Sequence, residues 1–376
     1  MEKRKMETVG AEVSLLGFGG MRFPTKEDGR IDRVKASEML DYALANGVNY
    51  FDTAYYYHDS ESEDFYGEAL SRHDRDSFYL ATKLPVWEVK EQADVRKFVE
   101  EQLRRLRTDH IDFYLLHALD KGRWENVVQL DVLSALEELR AEGKIRYIGF
   151  SFHDSYEVFE EIIKARKWDF CQIQFNYMDT EEQAGMKGYK LTEELGIPLV
   201  IMEPVRGGAL ANLSPDLNEK FAKLNNDATT ASYALRWVGS LPNVKVILSG
   251  MSSMEQVQDN LNTFADFKPL NDAEYAVIEE VAAEMKSRVQ NGCTGCSYCM
   301  PCPFGVNIPE CFKRWNQYHI YRSYGVIGFA WDGMPAEQKP AACRECGKCE
   351  SVCPQKISIR ADLKRVAADI DGRIWK

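Results

Sequence analysis

Short apolar runs rich in β-branched and aromatic residues alternate with longer stretches of helical periodicity through the first 270 residues. Segments such as ADVRKFVEEQLRRLRT and DVLSALEELRAEGK place apolar residues on one face of a helix. Eight shorter runs predict β-strands: LLGFGG (15–20), VNYFD (48–52), FYLATK (78–83), IDFYLLH (111–117), IRYIGFS (145–151), FCQIQF (170–175), PLVIME (198–203) and VKVILSG (244–250). The pattern therefore predicts eight β/α units.

The predicted strands are apolar on both faces, which is typical of parallel strands covered by helices. Eight such units over about 250 residues favour a closed (β/α)8 TIM barrel. An open, doubly wound sheet is the alternative. The GFGG of the first strand lacks the G-x-G-x-x-G spacing of a Rossmann turn, so a dinucleotide would need another kind of site.

The length of the chain predicts a second domain, and its net charge narrows the class of binding partner. A chain of 376 residues exceeds what one core usually holds, so two domains are expected. The start, MEKRKMETVGAEVSLLG, lacks a signal-peptide pattern, and no apolar run approaches a membrane span, which together predict a cytoplasmic protein. The net charge of -12 argues against nucleic acid and leaves a small molecule or another protein as partner.

Nine of the ten cysteines follow residue 290, and eight of them form two runs that each end in Cys-Pro. CRECGKCESVCP has the C-x2-C-x2-C-x3-C-P spacing of bacterial ferredoxins, and CTGCSYCMPCP has one residue fewer before its last cysteine. Three thiolates at such intervals wrap one [4Fe-4S] cluster, while the cysteine before proline ligates the other cluster. The predicted ligand sets are Cys293, Cys296, Cys299 and Cys353 for one cluster, and Cys343, Cys346, Cys349 and Cys302 for the other.

Other uses of these cysteines stay open at this point. Structural zinc also uses C-x2-C pairs, although it gains nothing from repeated triplets with proline. The shortened first run and the nearby Cys311 leave room for a different partition between the clusters. Cys171, at the start of the sixth predicted strand, is most simply a small buried apolar residue.

Ionisable residues follow three consecutive predicted strands: Asp52, Lys83 and His117. A charged residue after a buried strand is often only the first solvated position of a loop. Three chemical types at three neighbouring strand ends favour a reaction site instead, because barrel enzymes place their chemistry at the carboxyl ends of the strands.

At these residues the chain resembles the aldo-keto reductases. ATK carries the family lysine at Lys83, YLLH carries the histidine at His117, and GKIRYIGFS matches the fifth-strand motif. The similarity covers residues 8 to about 265. The segment FDTAYYYHDSESEDFYGEAL resembles the family signature through Asp52, Thr53, Ala54, Tyr57, Ser62, Glu63 and Gly67.

The resemblance implies a catalytic tetrad of Asp52, Tyr57, Lys83 and His117. Tyr57 would act as general acid in carbonyl reduction, or as base in alcohol oxidation. Lys83 is expected to lower the pKa of this phenol, Asp52 to hold the lysine charged, and His117 to orient the carbonyl oxygen. Nearby aromatic and histidine residues are candidates for packing or pocket walls: Tyr55, Tyr56, His58 and His153.

The resemblance also implies a nicotinamide cofactor, with Ser151 and Gln174 at the carboxamide and Gly207 and Gly208 near the pyrophosphate. Met202 stands where many relatives stack an aromatic ring. The remaining expected cofactor residues follow the eighth predicted strand: Ser249, Gly250, Gln256 and Asn260. Gly250 and Gln256 replace the lysine and arginine that usually bind the 2'-phosphate of NADP in this family. Without those cations there is no physical reason to expect NADP to be preferred over NAD. NAD use, weak nicotinamide binding and replacement of the nicotinamide stay open.

The cysteine arm resembles that of a subgroup of aldo-keto reductases with a C-terminal ferredoxin-like domain. The expected architecture is a (β/α)8 TIM barrel (1–265), a helical connection (266–290) and a small, mainly helical ferredoxin-like domain with two [4Fe-4S] clusters (291–376). The aromatic-rich stretch between the cysteine runs would form this domain's core or help shape the substrate pocket.

Three functions fit this architecture. The first is an oxidoreductase that reduces a carbonyl or oxidises an alcohol with NAD(P)H, the clusters being structural or regulatory. The second is a ferredoxin-linked reductase in which single electrons pass between the clusters and the barrel, either through a bound flavin or through substrate radicals. The sequence has no flavin motif, and only a barrel mouth large enough to admit a flavin is expected. The third is a non-catalytic redox-sensing or binding module, against which the complete tetrad argues. The substrate itself is not readable from the sequence.

Overall fold

The computed structural model describes residues 1–225 and 227–375, so Asn226 and Lys376 lie outside the described residues. The chain divides into two compact units. The first comprises Met1–Gly208 and Ala231–Asn271, and the second comprises Ala209–Thr230 and Asp272–Lys376. The chain thus enters the second unit twice. The division of the sequence at residues 265 and 290 stays a prediction about domain organisation.

Eight parallel strands close into a barrel in the first unit, which confirms the predicted fold class. An antiparallel hairpin that the pattern did not predict, β1 (Lys3–Met6) and β2 (Ala11–Ser14), precedes it. The barrel strands in chain order are β3 (Leu16–Gly19), β4 (Tyr50–Asp52), β5 (Tyr79–Leu84), β6 (Ile111–Leu119), β7 (Ile145–Phe152), β8 (Phe170–Gln174), β9 (Leu199–Met202) and β10 (Val244–Ser249). β10 pairs with β3 and closes the ring.

Large side chains fill one end of the barrel. Tyr50, Phe113, Phe170, Val200 and Val246 belong to one buried cluster, and each is fully buried. Their rings contact one another, as in the edge-on pair of Phe113 and Phe170, whose centroids lie 5.1 Å apart. This interior is therefore a packed core rather than a pore, which leaves the carboxyl ends of the strands as the place for chemistry.

Helices separate the strands and make up the second unit. Their bounds are α1 (Arg33–Ala45), α2 (Glu61–Leu70), α3 (Gln92–Leu106), α4 (Lys121–Gln129), α5 (Val132–Ala141), α6 (Tyr156–Lys164), α7 (Gly185–Leu195), α8 (Pro215–Ala222), α9 (Thr230–Gly239), α10 (Met254–Ala265), α11 (Asp272–Ser287), α12 (Ile308–Tyr321), α13 (Gly328–Asp332), α14 (Lys348–Ser351) and α15 (Ile359–Asp371). Among the residues that the structure describes, no helix is long and apolar enough to cross a membrane.

Local sequence explains several helix ends. The Ser253 hydroxyl accepts a hydrogen bond from the Gln256 N–H and caps the start of α10. α7 ends at Gly196, whose φ of 65° is a left-handed conformation that glycine adopts without a Cβ clash. The Ser253 cap ends the loop at the carboxyl end of β10, whereas the Gly196 cap lies at the opposite end of the barrel, before β9 begins.

The second unit has its own core, built largely from the aromatic-rich segment between the cysteine runs. Phe312, Trp315 and Tyr318 on α12 are fully buried, and α15 contributes Leu363 and Val366. The core explains the density of aromatic residues, because a small unit needs large side chains to bury enough apolar area.

Candidate functional site

Three of the four tetrad residues lie on neighbouring barrel strands. Asp52 is the last residue of β4, Lys83 lies in β5 and His117 in β6. The Lys83 Nζ donates hydrogen bonds to Asp52 Oδ1 and to the Thr53 carbonyl, both at 2.6 Å. Since both Asp52 and Lys83 are almost fully buried, this pair forms a shielded ion pair beneath the barrel mouth.

Tyr57 joins this pair from the loop between β4 and α2. The Lys83 Nζ lies 4.9 Å from the centroid of the Tyr57 ring, and the Tyr57 and His117 ring centroids are 6.0 Å apart. The three residues after Tyr57, 58–60, all have φ between 51° and 71°, which is unusual for residues with a Cβ. The fold therefore brings all four predicted tetrad residues together around a tightly turned loop.

Burial and ion pairing have opposite effects on the pKa values of Lys83 and Asp52. Burial alone would lower the pKa of Lys83, but Asp52 and Tyr57 outweigh it, so the pKa of the ammonium is raised. Burial raises the pKa of Asp52, and Lys83 opposes that rise. Because the Lys83 Nζ donates to two oxygens, the lysine is held as a cation next to Tyr57.

Two opposing effects act on the pKa of Tyr57, and the predicted effect of Lys83 is one of them. Lys83 does lower the pKa of the phenol, but burial is the larger effect and raises it above its ordinary value of 10. The prediction from the sequence included the cation of Lys83, but it did not include the free-energy cost of moving a phenolate away from water. Tyr57 is consequently a protonated phenol at neutral pH, the state required of a proton donor.

His117 is a neutral imidazole. Burial, with Lys83 as the next contribution, lowers the pKa of His117 well below 6.5. Its Nδ1 is buried and has no hydrogen-bond partner among the described residues. A neutral ring can donate one N–H to a carbonyl oxygen without adding a second cation beside Lys83.

We expect the His117 ring to stay unprotonated as the pH falls through about 6.5, where an exposed histidine titrates. An NMR titration of the histidine ring signals checks this, the His117 signal being the one lost in His117→Gln. Because the unfolded histidine takes up a proton near pH 6.5 and the folded one does not, His117 also costs stability as the pH falls below that value. A His117 inflection near pH 6.5 would contradict the assigned environment.

A buried glutamate supports the tetrad from behind. Glu63 Oε1 accepts hydrogen bonds from Thr82 Oγ1 and Gln102 Nε2, each at 2.6 Å, and Arg105 lies 3.2 Å from Oε2. The same Gln102 Nε2 donates to the Lys83 carbonyl at 3.0 Å. This network ties α2 and α3 to the strand that carries the lysine. The signature supplied Glu63, but nothing in the sequence showed what it contacts.

An aromatic wall next to His117 was not predicted. The Trp87 and His117 ring centroids lie 5.1 Å apart, Tyr56 stacks on Trp87 at 6.0 Å, and the Arg123 guanidinium lies 4.9 Å from the indole ring. Trp87 is 39% exposed, a large value for tryptophan. Its position four residues after Lys83, at a strand end, was the available signal.

Ser151 and Gln174, the two residues expected at the nicotinamide carboxamide, differ in how many of their polar atoms already have hydrogen-bond partners. The Ser151 Oγ accepts from the Ala118 N–H at 2.7 Å, so its own proton stays available to a ligand. The Gln174 amide is engaged at both ends, because it donates to Asp179 Oδ2 at 3.1 Å and accepts from Gln183 at 2.8 Å. Ser151 is therefore ready for a carboxamide, while Gln174 would have to exchange a partner.

The other expected cofactor residues lie at the end of β9, in the turn that follows it, at the end of β10 and, for Gln256 and Asn260, in α10. Met202 ends β9, and its sulfur accepts from Gln172 Nε2 at 3.4 Å. Gly207 and Gly208 form a tight turn with φ of 64° and 95°. The Asn260 Nδ2 donates to Ser249 Oγ at 2.9 Å.

The loop after β10 contains a feature that sequence reasoning missed. A Cβ at Gly250 would lie 2.7 Å from Arg22 Cγ, so the arginine side chain passes over the glycine. The Ser252 hydroxyl donates to the Arg22 carbonyl at 2.7 Å, and Gln256 Oε1 accepts from the Ser252 N–H at 2.7 Å. A cation from the loop after β3 thus lies where the eighth-strand loop itself has none.

The second unit contains two cavities lined by cysteines. Cavity A has Cys302, Cys343, Cys346 and Cys349 in its wall. Cavity B has Cys293, Cys296, Cys299 and Cys353 in its wall. Each cavity thus draws three cysteines from one run and the cysteine before proline from the other. Four thiols around one cavity are a donor set that fits a [4Fe-4S] cluster.

Three cysteines need separate mention. Cys299 also touches cavity A, so the two cavities share a wall. Cys311 lines neither cavity; it is fully buried in the core of the unit, and its thiol donates to the Gln338 carbonyl. Cys171 is fully buried in β8, and burial raises the pKa of its thiol above the ordinary value.

Comparison with known proteins agrees with this geometry. The Aldo/keto reductase family profile matches residues 15–283, more than half of the chain. The chain belongs to the aldo/keto reductase family. A 4Fe-4S dicluster domain matches residues 292–357, so the oxidoreductase barrel is joined to an iron–sulfur domain.

Individual members of the family resemble the barrel part of this chain. An uncharacterized oxidoreductase, YqkF, of Bacillus subtilis is 29% identical over 74% of this chain and 96% of its own length. The NADH-specific methylglyoxal reductase of Escherichia coli is 25% identical over 76% of this chain and all of its own length. The holo structure of aldo-keto reductase AKR11C1 from Bacillus halodurans has a TM-score of 0.62 at 29% identity, and covers 74% of this chain and 96% of that one.

Proposed function

We propose that this aldo/keto reductase reduces a small-molecule carbonyl, or oxidises the corresponding alcohol, with a nicotinamide cofactor and with Tyr57 as general acid and base. The observation that carries the proposal is the buried Lys83–Asp52 pair placed under the Tyr57 ring and beside His117. A binding module has no use for an ion pair that costs desolvation and holds a cation against a phenol.

The residues divide the work of reduction. A bound nicotinamide would supply the hydride to the carbonyl carbon. Tyr57 Oη donates its proton to the carbonyl oxygen as negative charge develops there. Lys83 stabilises the phenolate that remains, and neutral His117 orients the oxygen by hydrogen bonding. Trp87 and Tyr56 form one wall of the substrate site.

Nicotinamide binding rests on Ser151, on the glycine turn at 207–208 and on the loop after β10. The free proton of Ser151 suits the carboxamide oxygen. The Gly208 N–H already donates to the Val205 carbonyl at 3.0 Å, so an anion at this turn would have to displace that bond or use other groups. Gly250 and Gln256 offer no cation to a 2'-phosphate, whereas Arg22 lies over Gly250 from another loop. The Escherichia coli relative named for NADH specificity supports the use of NADH.

We expect the protein to bind NADH at least as tightly as NADPH. Fluorescence titration of both nicotinamides measures this, with Arg22→Ala as the informative variant and Arg30→Ala, a nearby exposed arginine, as its control. Removing Arg22 should weaken NADPH more than NADH, because only NADPH carries the extra phosphate. Failure of the anaerobically purified protein to bind either nicotinamide would overturn the proposal.

A second candidate function is favoured by the two cysteine cavities. We propose that both hold [4Fe-4S] clusters, with cavity A ligated by Cys302, Cys343, Cys346 and Cys349 and cavity B by Cys293, Cys296, Cys299 and Cys353. Such clusters would supply single electrons, whereas hydride transfer moves two together. A ferredoxin-linked reductase that passes electrons to the barrel through a flavin therefore stays the alternative.

The visible spectrum under anaerobic conditions separates the two functions. Bleaching of the cluster absorbance by NADH would support coupled electron transfer. Carbonyl turnover with NADH that is unchanged in variants without clusters would support the simple reductase. Assays of iron, sulfide and flavin on the same sample establish what the protein carries.

A further inference from the structure

The two cysteine cavities differ sharply in the charge of their walls. The wall of cavity A includes Arg344, Lys348 and Arg360 and no carboxylate. The wall of cavity B includes no charged side chain among the described residues. Two sites with matched thiol sets are therefore electrostatically unequal, which a purely structural pair of clusters would not require.

Two of the three cations at cavity A have no carboxylate partner. Arg360 pairs with Glu350 at 2.7 Å, but Arg344 and Lys348 are exposed and have no ion pair within residues 1–225 and 227–375. The nearby carboxylate of Glu345 is already paired with Lys364 at 2.9 Å. Arg344 and Lys348 therefore present uncompensated positive charge to solvent.

The same rim gives access to the interior of cavity A. Cys346 is exposed, so one thiol of the set lies at the molecular surface. Phe304, in the wall of the cavity, is 44% exposed. An apolar side chain flanked by unpaired cations is a typical composition for a transient protein contact, in which charge steers the approach and a small apolar area stabilises the complex.

The distribution of charge along the chain points to the same kind of partner. Residues 291–376 contain twelve Lys and Arg against eight Asp and Glu, although the whole chain has a net charge of -12. The excess of cations is thus confined to the segment that carries the cysteine runs. An acidic protein would be attracted to this segment and repelled by the rest of the chain.

We propose that the rim of cavity A, formed by Arg344, Lys348, Phe304 and Cys346, is the docking surface for an acidic single-electron carrier protein. The proposal rests on the cluster assignment made above and adds which of the two sites exchanges electrons with the partner. One electron would leave the reduced carrier, which becomes oxidised, and enter the cluster in cavity A. No proton moves and no bond forms or breaks in that step.

The test uses the anaerobically purified full-length protein and an acidic plant-type [2Fe-2S] ferredoxin as probe. Binding is measured by calorimetry at low and at physiological ionic strength for the wild type, for Arg344→Gln/Lys348→Gln and for Lys286→Gln/Lys313→Gln. The last pair removes the same charge from exposed positions of the same unit that line neither cavity.

We expect the rim variant to bind the ferredoxin about tenfold more weakly at low salt and to lose most of the salt dependence, while the control variant stays close to wild type. Equal weakening in both variants, or no weakening in either, would overturn the proposal, as would tighter binding of a cationic carrier such as a basic cytochrome. Iron and sulfide are assayed in each sample. A wild type without clusters would refute the cluster assignment, and clusters without rim-dependent binding would refute only the docking surface.

Discussion

Tyr57→Phe should lower kcat for carbonyl reduction by about 10²- to 10⁴-fold, the range that general acid catalysis contributes, with little effect on nicotinamide binding. The substitution removes one oxygen and keeps the ring that packs near Lys83 and His117. The hydride donor and the binding groups stay in place. The loss should therefore fall on kcat, because the missing proton is needed only as charge develops on the carbonyl oxygen.

An exposed tyrosine outside the site provides a matched control. Tyr42→Phe removes the same atom from a ring on α1 that is 40% exposed, and we expect its kcat to stay within about twofold of wild type, as for surface changes that leave the reacting groups intact. Steady-state kinetics of both variants with NADH and a small aldehyde, together with NADH titration, give the comparison. Equal kcat for wild type and Tyr57→Phe would reject Tyr57 as the proton donor.

The raised pKa of Tyr57 adds a dependence on pH. A phenol whose pKa lies above 10 stays protonated through the physiological range, so reduction should persist as the pH rises toward that value. Alcohol oxidation needs the phenolate and should accelerate over the same range. Opposite pH trends for the two directions, measured by kcat at saturating cofactor, would identify the same group.

When two cysteines are substituted together, the loss of bound iron should depend on which cavities they line and not on which sequence run they belong to. Cys293→Ala/Cys353→Ala removes two thiols from cavity B and should lose half of the bound iron. Cys293→Ala/Cys302→Ala removes one thiol from each cavity and should lose nearly all of it. If each run held its own cluster, the two results would be exchanged.

The measurement is iron and sulfide per chain after anaerobic reconstitution, with the electron paramagnetic resonance of the dithionite-reduced protein as a second readout. Cys311→Ala is the control, since Cys311 lies in the core and outside both cavities, and it should keep the full iron content. Loss of iron in that variant would show that Cys311 is a ligand and that the proposed sets are incomplete.

Much of the barrel could be predicted because its signal is local. A strand covered on both faces is a continuous apolar run, and β6 and β7 begin at the predicted residues Ile111 and Ile145. The hairpin of β1 and β2 was missed because KRKM is short and mostly charged, so its pairing depends on the register with AEVS rather than on hydrophobicity. The return of residues 209–230 to the second unit is likewise a matter of distant contacts.

The family resemblance predicted that Asp52, Tyr57, Lys83 and His117 lie together, and the structure brings them together, but their environment could not be predicted. The direction of the Tyr57 pKa shift depends on how far water is excluded from the ring. The residues next to Tyr57 in the sequence do not determine that exclusion. The Glu63 network joins residues 19 to 42 positions apart, and Arg22 reaches Gly250 across more than 200. These long-range contacts form only when the barrel closes, so they could not be predicted from the sequence alone.

The crossed walls of cavities A and B constrain the order of events during synthesis. When the ribosome has completed the first cysteine run, neither cavity has its fourth thiol, and the nascent segment offers only an open set of ligands. Cavity A gains its last cysteine at Cys349 and cavity B at Cys353. Both cavities therefore receive their last cysteine within five residues of each other. Under the proposed ligand sets, neither cluster could be assembled before the second run has emerged.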